Sequence, residues 1–152
     1  MYSMWLTDGE QHLWRNYLMM TGRLQAELNR QLQRDCGLSL ADYDVLVALD
    51  EQPGCRISEL GARLGWEQSR LSHQLGRMQA RGLVARRGAD DDRRAAAVEL
   101  TDSGRSALHA AAPGHAELVR RVVFDGMDAA ELSALNRWTA RVGRRLEGLE
   151  DR

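Results

Sequence analysis

The chain has 152 residues, 43% of them hydrophobic, which is enough for one domain with a buried core. No apolar run approaches the roughly 18–20 residues of a membrane span, and the amino terminus shows no signal-peptide pattern. Two cysteines, Cys36 and Cys55, are too few for a disulfide framework. Composition therefore predicts a cytoplasmic globular protein and argues against a membrane protein or a disulfide-rich secreted domain.

The net charge of −1 conceals an uneven distribution of charge along the chain. Residues 56–94 hold nine Arg against five acids, a net charge of +4, and the remainder of the chain has a net charge of −5. A basic segment within an otherwise acidic chain indicates a local anion-binding surface. The middle of the chain is therefore the candidate binding region.

The first third of the chain predicts two helices. Thr7 or Asp8 caps the first, in which apolar residues recur every three or four positions until Gly37 ends it. Ser39 and Asp42 have the spacing of a capping box that begins the second helix, and the sequence "EQPG" ends that helix.

The middle of the chain predicts two short helices followed by a hairpin. After an extended segment at residues 55–57, Ser58 caps a helix that Gly65 ends, and a turn at residues 66–67 leads to a helix over residues 68 to about 81. "LVARRG" and "AAAVEL" then predict two strands joined by the polar tip "ADDDRR". This order is typical of a helix-turn-helix with a β-wing.

The last third predicts two long helices. Thr101 caps the first of them, and Pro113 with Gly114 is expected to kink or split it. Asp128 and Glu131 form a capping box for the final helix.

The predicted fold is mainly α, a winged helix-turn-helix of order α-α-β-α-α-β-β-α-α with long terminal dimerisation helices. We expect one domain over residues 1–152. Within it, residues 1–37 and 101–152 would form the helical dimerisation region, and residues 38–100 the DNA-binding lobe.

The helix after the turn carries basic residues with no acid after Glu67. The second helix of a helix-turn-helix lies in the major groove, where polar side chains near its amino terminus reach base edges. The residues of suitable chemistry there are Gln68, Ser69, Arg70, Ser72 and His73. Arg77 and Arg81 lie farther along and suit phosphate, while Leu71, Leu75 and Met78 predict the face that packs on Leu60 and Leu64 of the preceding helix.

The predicted wing places four arginines around three aspartates in "RRGADDDRR", namely Arg86, Arg87, Arg93 and Arg94. Arginine at such a tip can enter a narrow minor groove, where the negative potential is strongest. One aspartate is expected to hold an arginine through a charge-assisted bond, which leaves a neighbouring arginine to reach DNA.

The sequence gives little support for a catalytic, metal-binding or cofactor-binding function. We find no nucleophile–base pair, phosphate-binding loop or metal motif, and the four histidines lack metal-ligand spacing. We therefore expect neither an enzyme nor a cofactor or metal site. Cys36 and Cys55 leave open a redox-sensing regulator, and the winged fold leaves open a protein-interaction module.

Three segments, "LSLADYDVLVAL", "RISELGARLGWEQSRLSHQLGRMQARGLVARR" and "DDRRAAAVELTDSGR", resemble the multiple antibiotic resistance regulator (MarR) family of bacterial transcription factors. The similarity covers about residues 38–107. It implies a homodimeric regulator, often a repressor, whose winged lobes read the half-sites of an inverted-repeat operator in double-stranded DNA. By position, residues 68–73 and Arg77 would face the major groove, Asp92 would brace an arginine, and Arg94 would enter the minor groove.

The resemblance also implies a dimer interface and an effector site. Large apolar residues near the chain ends and along the last helix are predicted to bury against a second subunit: Trp5, Leu6, Leu135, Trp138, Val142 and Leu146. In the family a small molecule often releases the DNA from a pocket between the dimer helices and the DNA-binding lobe. Candidates for such a pocket are Trp14, Tyr17, Met20 and Tyr43, since aromatic rings with polar tips suit a ligand site.

Overall fold

A computed structural model of the protein describes residues 5–88 and 96–151. The described chain is mainly helical with a small sheet. Its elements are α1 (Asp8–Cys36), α2 (Leu40–Glu51), β1 (Cys55–Arg56), α3 (Ile57–Leu64), α4 (Gln68–Ala80), β2 (Val84–Arg87), β3 (Ala97–Leu100), α5 (Asp102–Val119) and α6 (Ala129–Glu150). The predicted fold class and element order are confirmed.

Most predicted helix ends coincide with observed caps. The Thr7 side chain accepts a hydrogen bond from the Glu10 amide, and Ser39 and Asp128 each form a complete capping box. Gly37 ends α1 in the left-handed conformation, with φ of 67°, which a residue without a side chain adopts at little cost.

Three details differ from prediction. Helix α3 begins one residue before the predicted cap Ser58, because the Glu59 side chain accepts a hydrogen bond from the Arg56 amide and fixes the start there. Helix α5 is not split at Pro113, since it continues to Val119. A π-helical turn over Arg120–Phe124 follows it, which the hydrophobic pattern did not predict.

The sheet has three antiparallel strands in the order β1-β3-β2. Val84 is opposite Leu100 and Arg87 is opposite Ala97, so β2 and β3 form the predicted hairpin, while β1 pairs with the far edge of β3. Val84 and Val98 are buried, and they join the sheet to one hydrophobic core shared with the helices.

The chain divides into two compact units, Met1–His115 and Ala116–Arg152. The first contains the whole helix-turn-helix and the sheet, and nearly all the buried side chains belong to it. The second contains the π-helical turn and α6. Within residues 5–88 and 96–151, no helix has the length and apolarity needed to cross a membrane.

The start of α5 lies directly against the segment that links α4 to β2. The Thr101 amide donates to the Leu83 carbonyl at 3.2 Å, and the Thr101 hydroxyl donates to the Gly82 carbonyl at 2.5 Å. At Gly104 the two backbones are so close that a Cβ would lie 2.0 Å from the Leu83 carbonyl oxygen. Glycine at this position is therefore required by packing.

We predict that Gly104→Ala lowers the free energy of unfolding by about 3 kcal/mol, because the backbone must shift to admit the methyl group. Gly76→Ala is the matched control, since Gly76 lies in a helix and a methyl group added there would have no packed neighbour within 4 Å. It should raise the free energy of unfolding by about 0.5–1 kcal/mol. Urea unfolding followed by circular dichroism measures both, and equal effects would contradict the close contact.

Candidate nucleic-acid interface

Helix α4 has one fully buried face and one exposed face. Leu71, Leu75 and Met78 have no exposed surface, and they share the core with Leu60 of α3, as the sequence predicts. The predicted DNA-contacting residues of this helix all lie on the exposed side: Gln68, Ser69, Arg70, Ser72, His73 and Arg77. Because α4 packs on α3 through its apolar face, its polar residues lie together on the face exposed to solvent.

The amino terminus of α4 is favourable for an anion. Glu67 is the N-cap, but its side chain makes no capping hydrogen bond, and the first turn contains no acid. The first amides of a helix lack intrahelical partners and carry the positive end of the helix dipole. Phosphate oxygens are suitable partners for such amides.

Arg70 is stacked on the aromatic residue that precedes the helix. Its guanidinium carbon lies 4.2 Å from the centroid of the Trp66 ring, a cation–π geometry. Trp66 is itself half-buried against the hydrophobic core. Burial raises the pKa of the Asp44 carboxyl on α2, and the positive charge of Arg70 opposes part of that rise.

A buried aspartate connects α4 to the rest of the lobe. Asp42 is 5% exposed, and its carboxylate accepts hydrogen bonds from the Ser39 amide, the Gln74 side chain and Arg81 Nη1 at 2.8 Å. Arg81 Nη2 also donates to the Gly37 carbonyl at 2.9 Å, at the end of α1. Asp42 and Arg81 together therefore link α1, α2 and α4.

The same network extends to Arg77, whose Nη2 donates to Gln74 Oε1 at 2.7 Å. From the sequence, Arg77 and Arg81 were predicted to contact phosphate, and Gln74 was not singled out. A signal for Gln74 was present, because it lies three residues after Leu71 and four before Met78, on the apolar face. A polar side chain at such a position needs a buried partner.

The wing is described only at its base. Arg86 and Arg87 are exposed on β2, and Arg87 Nε forms an ion pair with Glu99 Oε1 at 3.0 Å across the hairpin. The predicted bracing residue Asp92 and the predicted tip residues Arg93 and Arg94 lie outside the described residues.

A cleft of about 330 Å³ opens beside α2, within the first compact unit. Its lining residues are Tyr43, Asp44, Val47, Ala48, Glu51, Arg63, Leu64 and His115. Arg63 and Glu51, which both line the cleft, form an ion pair, and the ring centroids of Tyr43 and His115 lie 4.3 Å apart. Tyr43 was among the residues predicted from the sequence, but His115 was not, because it sits two residues beyond Pro113 with no motif of its own.

The other three predicted pocket residues are not part of this cleft. Trp14 and Tyr17 stack on each other along α1, with ring centroids 5.9 Å apart. Trp14 and Met20 are exposed, and Tyr17 is half-buried. The described structure therefore brings together Tyr43 with His115, and not Tyr43 with the aromatic residues of α1.

Each compact unit has exposed apolar side chains. In the first they include Trp5 and Leu6, and in the second Leu135 and Leu146, with Trp138 and Val142 half-buried. Leu146, for example, is 55% exposed. Several large apolar side chains exposed in this way are a feature of surfaces that meet another chain.

The thiols give little support to redox chemistry. Cys55 is buried, and burial raises the pKa of its thiol, which lowers the fraction of reactive thiolate. Cys36 is half-buried. Among residues 5–88 and 96–151, no group of three or more His, Cys, Asp or Glu side chains could hold a metal ion.

Comparison with known proteins gives consistent matches. The model of the MarR family matches residues 37–95. The crystal structure of AbsC, a MarR family transcriptional regulator from Streptomyces coelicolor, is 36% identical, with 96% of this chain and 99% of that chain covered and a TM-score of 0.87. Sco3205 from the same organism, a MarR family transcriptional regulator in complex with DNA, is 37% identical, with 95% and 92% covered and a TM-score of 0.88.

A more distant structure is CouR from Rhodococcus jostii RHA1 bound to p-coumaroyl-CoA. It is 24% identical to this chain, and the match covers 92% of this chain and 95% of CouR, with a TM-score of 0.73. At that identity the likeness is one of fold.

We predict that Asp42→Ala lowers the free energy of unfolding by about 2–4 kcal/mol, because the capping hydrogen bond and the two hydrogen bonds from Gln74 and Arg81 are lost together. Asp50→Ala is the control, since Asp50 pairs with Arg105 at 2.9 Å on the exposed surface, where an ion pair contributes about 1 kcal/mol or less. Denaturant unfolding of both variants provides the measurement. A loss for Asp42→Ala no greater than that for Asp50→Ala would show that the network does not hold α4.

A second prediction concerns pH. Burial lowers the pKa of His115 below its ordinary value of 6.5, so the unfolded chain binds more protons at this residue than the folded one. The free energy of unfolding should therefore fall as the pH drops from about 7 to about 5. His115→Phe should reduce this fall. The half-buried Asp44, whose pKa is raised by burial, acts in the opposite direction, but it does so equally in the wild type and in His115→Phe, so the comparison isolates His115. An unchanged pH profile in the variant would refute the assignment.

Proposed function

This chain belongs to the MarR family and is a DNA-binding transcriptional regulator, and we propose that it is a homodimeric, sequence-specific repressor of an inverted-repeat operator, released by a small molecule. One observation carries the proposal: α4 buries Leu71, Leu75 and Met78 completely and leaves its polar face exposed. A helix held in this way fits the major groove with its polar residues toward the bases.

In the proposed complex, residues 68–73 read base edges while the α4 amino terminus and Arg77 contact phosphate. Arg86, Arg87, Arg93 and Arg94 of the wing contact the neighbouring minor groove, with Asp92 bracing one of them. The net charge of +4 over residues 56–94 supports this assignment, because the phosphate backbone attracts that segment of an otherwise acidic protein. The proposal places the protein in the cytoplasm with its DNA.

Dimerisation follows from the half-site geometry. A single helix-turn-helix contacts few base pairs, and a two-fold dimer doubles them by placing two α4 helices about 34–36 Å apart. The exposed and half-buried apolar residues supply a surface for the partner: Trp5, Leu6, Leu135, Trp138, Val142 and Leu146. Residues 1–37 and 101–152 would accordingly form the dimerisation region, and residues 38–100 the DNA-binding lobe.

Release by a small molecule is supported by the cleft beside α2. Tyr43 and His115 offer aromatic surface there, and Asp44 offers a polar group, which is the usual mixture in a ligand site. CouR, which shares the fold, binds p-coumaroyl-CoA. We place the effector against Tyr43 and leave Trp14, Tyr17 and Met20 as candidates that a second subunit would have to bring near.

The proposal is tested by selecting duplexes from a random library with the full chain. We expect an inverted repeat, bound by a dimer, whose affinity falls roughly a thousandfold between about 50 mM and about 200 mM salt. Transcription from a promoter carrying the selected duplex should fall when the protein is added. A pool that stays random, or binding insensitive to salt, would indicate a protein-interaction module instead.

Two deletions provide the controls for assembly. Removing residues 1–9, or residues 128–152, should give monomers in sedimentation and much weaker binding to the selected duplex. A dimer of unchanged affinity from either deletion would refute the interface. Replacing Cys36 and Cys55 together by serine should leave binding and its response to peroxide unchanged, because the buried Cys55 thiol has a raised pKa.

A further inference from the structure

The three arginines of α4 and its C-cap differ in the partners of their guanidinium groups. Arg77 donates to Gln74, and Arg81 donates to Asp42 and Gly37. Arg70 instead lies over the Trp66 ring, with its guanidinium carbon 4.2 Å from the ring centroid. Within residues 5–88 and 96–151, no hydrogen bond or ion pair involves Arg70.

Stacking and hydrogen bonding use different parts of a guanidinium group. The stack uses the face of the planar group, while all its N–H donors point outward along the edge. A guanidinium over an aromatic ring is therefore restricted in orientation without losing any donor. A carboxylate partner would have the opposite effect, since it would occupy two of the donors that a base requires.

Trp66 is suited to this role because it is anchored. Its amide donates to the Gly61 carbonyl at 3.0 Å, and its side chain packs against the hydrophobic core. A Cβ on Gly61 would lie 3.4 Å from the Trp66 carbonyl oxygen, so the α3–α4 turn passes close to α3. The ring is thus a fixed surface at the start of α4.

We propose that Trp66 is a positioning residue for base recognition, which holds the Arg70 guanidinium so that its free edge makes a bidentate contact with guanine in the major groove. The proposal rests on the proposed function. Guanine is the expected base because its O6 and N7 acceptors match two parallel N–H donors.

The test uses the full chain and the duplex that the wild-type protein selects from a random library. Arg70→Ala should weaken binding about fivefold to a hundredfold and remove the preference for G·C at one position of each half-site. Trp66→Leu should weaken binding about threefold to thirtyfold and relax the preference at that same position only. Trp66→Phe, which keeps a weaker stack, should fall between the wild type and Trp66→Leu.

A double-mutant cycle separates positioning from a general effect on the fold. Trp66→Leu combined with Arg70→Ala should bind no worse than Arg70→Ala alone, because the stack has nothing left to orient. Trp66→Leu combined with Arg77→Ala is the control, and its losses should multiply. In the free protein, the ring-current shift of the Arg70 side-chain protons should disappear in Trp66→Leu.

Failure of the positioning role and failure of the proposed function are distinguishable. If Trp66→Leu keeps the full preference at the position set by Arg70, or if its loss multiplies with that of Arg70→Ala, the positioning role is refuted while the proposed function stands. The positioning role is equally refuted if Trp66→Leu lowers the affinity by the same factor for every base-substituted duplex, since a uniform loss indicates an effect on folding. If the wild-type protein itself selects no sequence, the proposed function fails and this inference fails with it.

Discussion

The carboxylate of Asp42 determines where the recognition surface lies. It is almost completely buried, and it joins the start of α2 to Gln74 and Arg81 of the α4 segment. A buried charge is tolerated only where several donors replace water, and here the donors come from different elements. If α4 rotated or slid, the carboxylate would lose those donors, so the network fixes the register of the helix as well as contributing to stability.

Fixing α4 in this way divides its polar residues into two groups. Gln74 and Arg81 bind the Asp42 carboxylate, whereas Arg77 and residues 68–73 other than Leu71 remain exposed. The absence of acids after Glu67 therefore has two explanations in the structure. Arg81 is balanced by an acid on α2 rather than on its own helix, whereas Arg70 is held by an aromatic ring, which adds no negative charge to a surface that meets phosphate.

Local features of the fold were predictable from the sequence. Capping boxes at residues 39–42 and 128–131 and the apolar spacing of Leu71, Leu75 and Met78 identified the helices, since these signals depend only on neighbours along the chain. Contacts between distant residues were not predictable. The spacing predicted Asp42 as the second member of the Ser39 capping box but not as the partner of Arg81, which is 39 residues away. Helix α5 continues past Pro113. A proline inside a helix removes one backbone hydrogen bond, and the packing of the flanking residues decides whether the helix continues.

The candidate site was predictable to a similar extent. The residue types of α4 indicated a DNA-reading face, but the Trp66–Arg70 stack and the cleft lined by Tyr43 and His115 depend on the three-dimensional arrangement. The proposed function requires that the exposed face of α4 reads the major groove. The most direct measurement replaces each guanine of the selected duplex in turn by 7-deazaguanine, which removes only the N7 acceptor. If α4 reads the groove, binding should weaken at positions in two clusters related by two-fold symmetry, about one helical turn apart. Binding that tolerates every such replacement would contradict the claim.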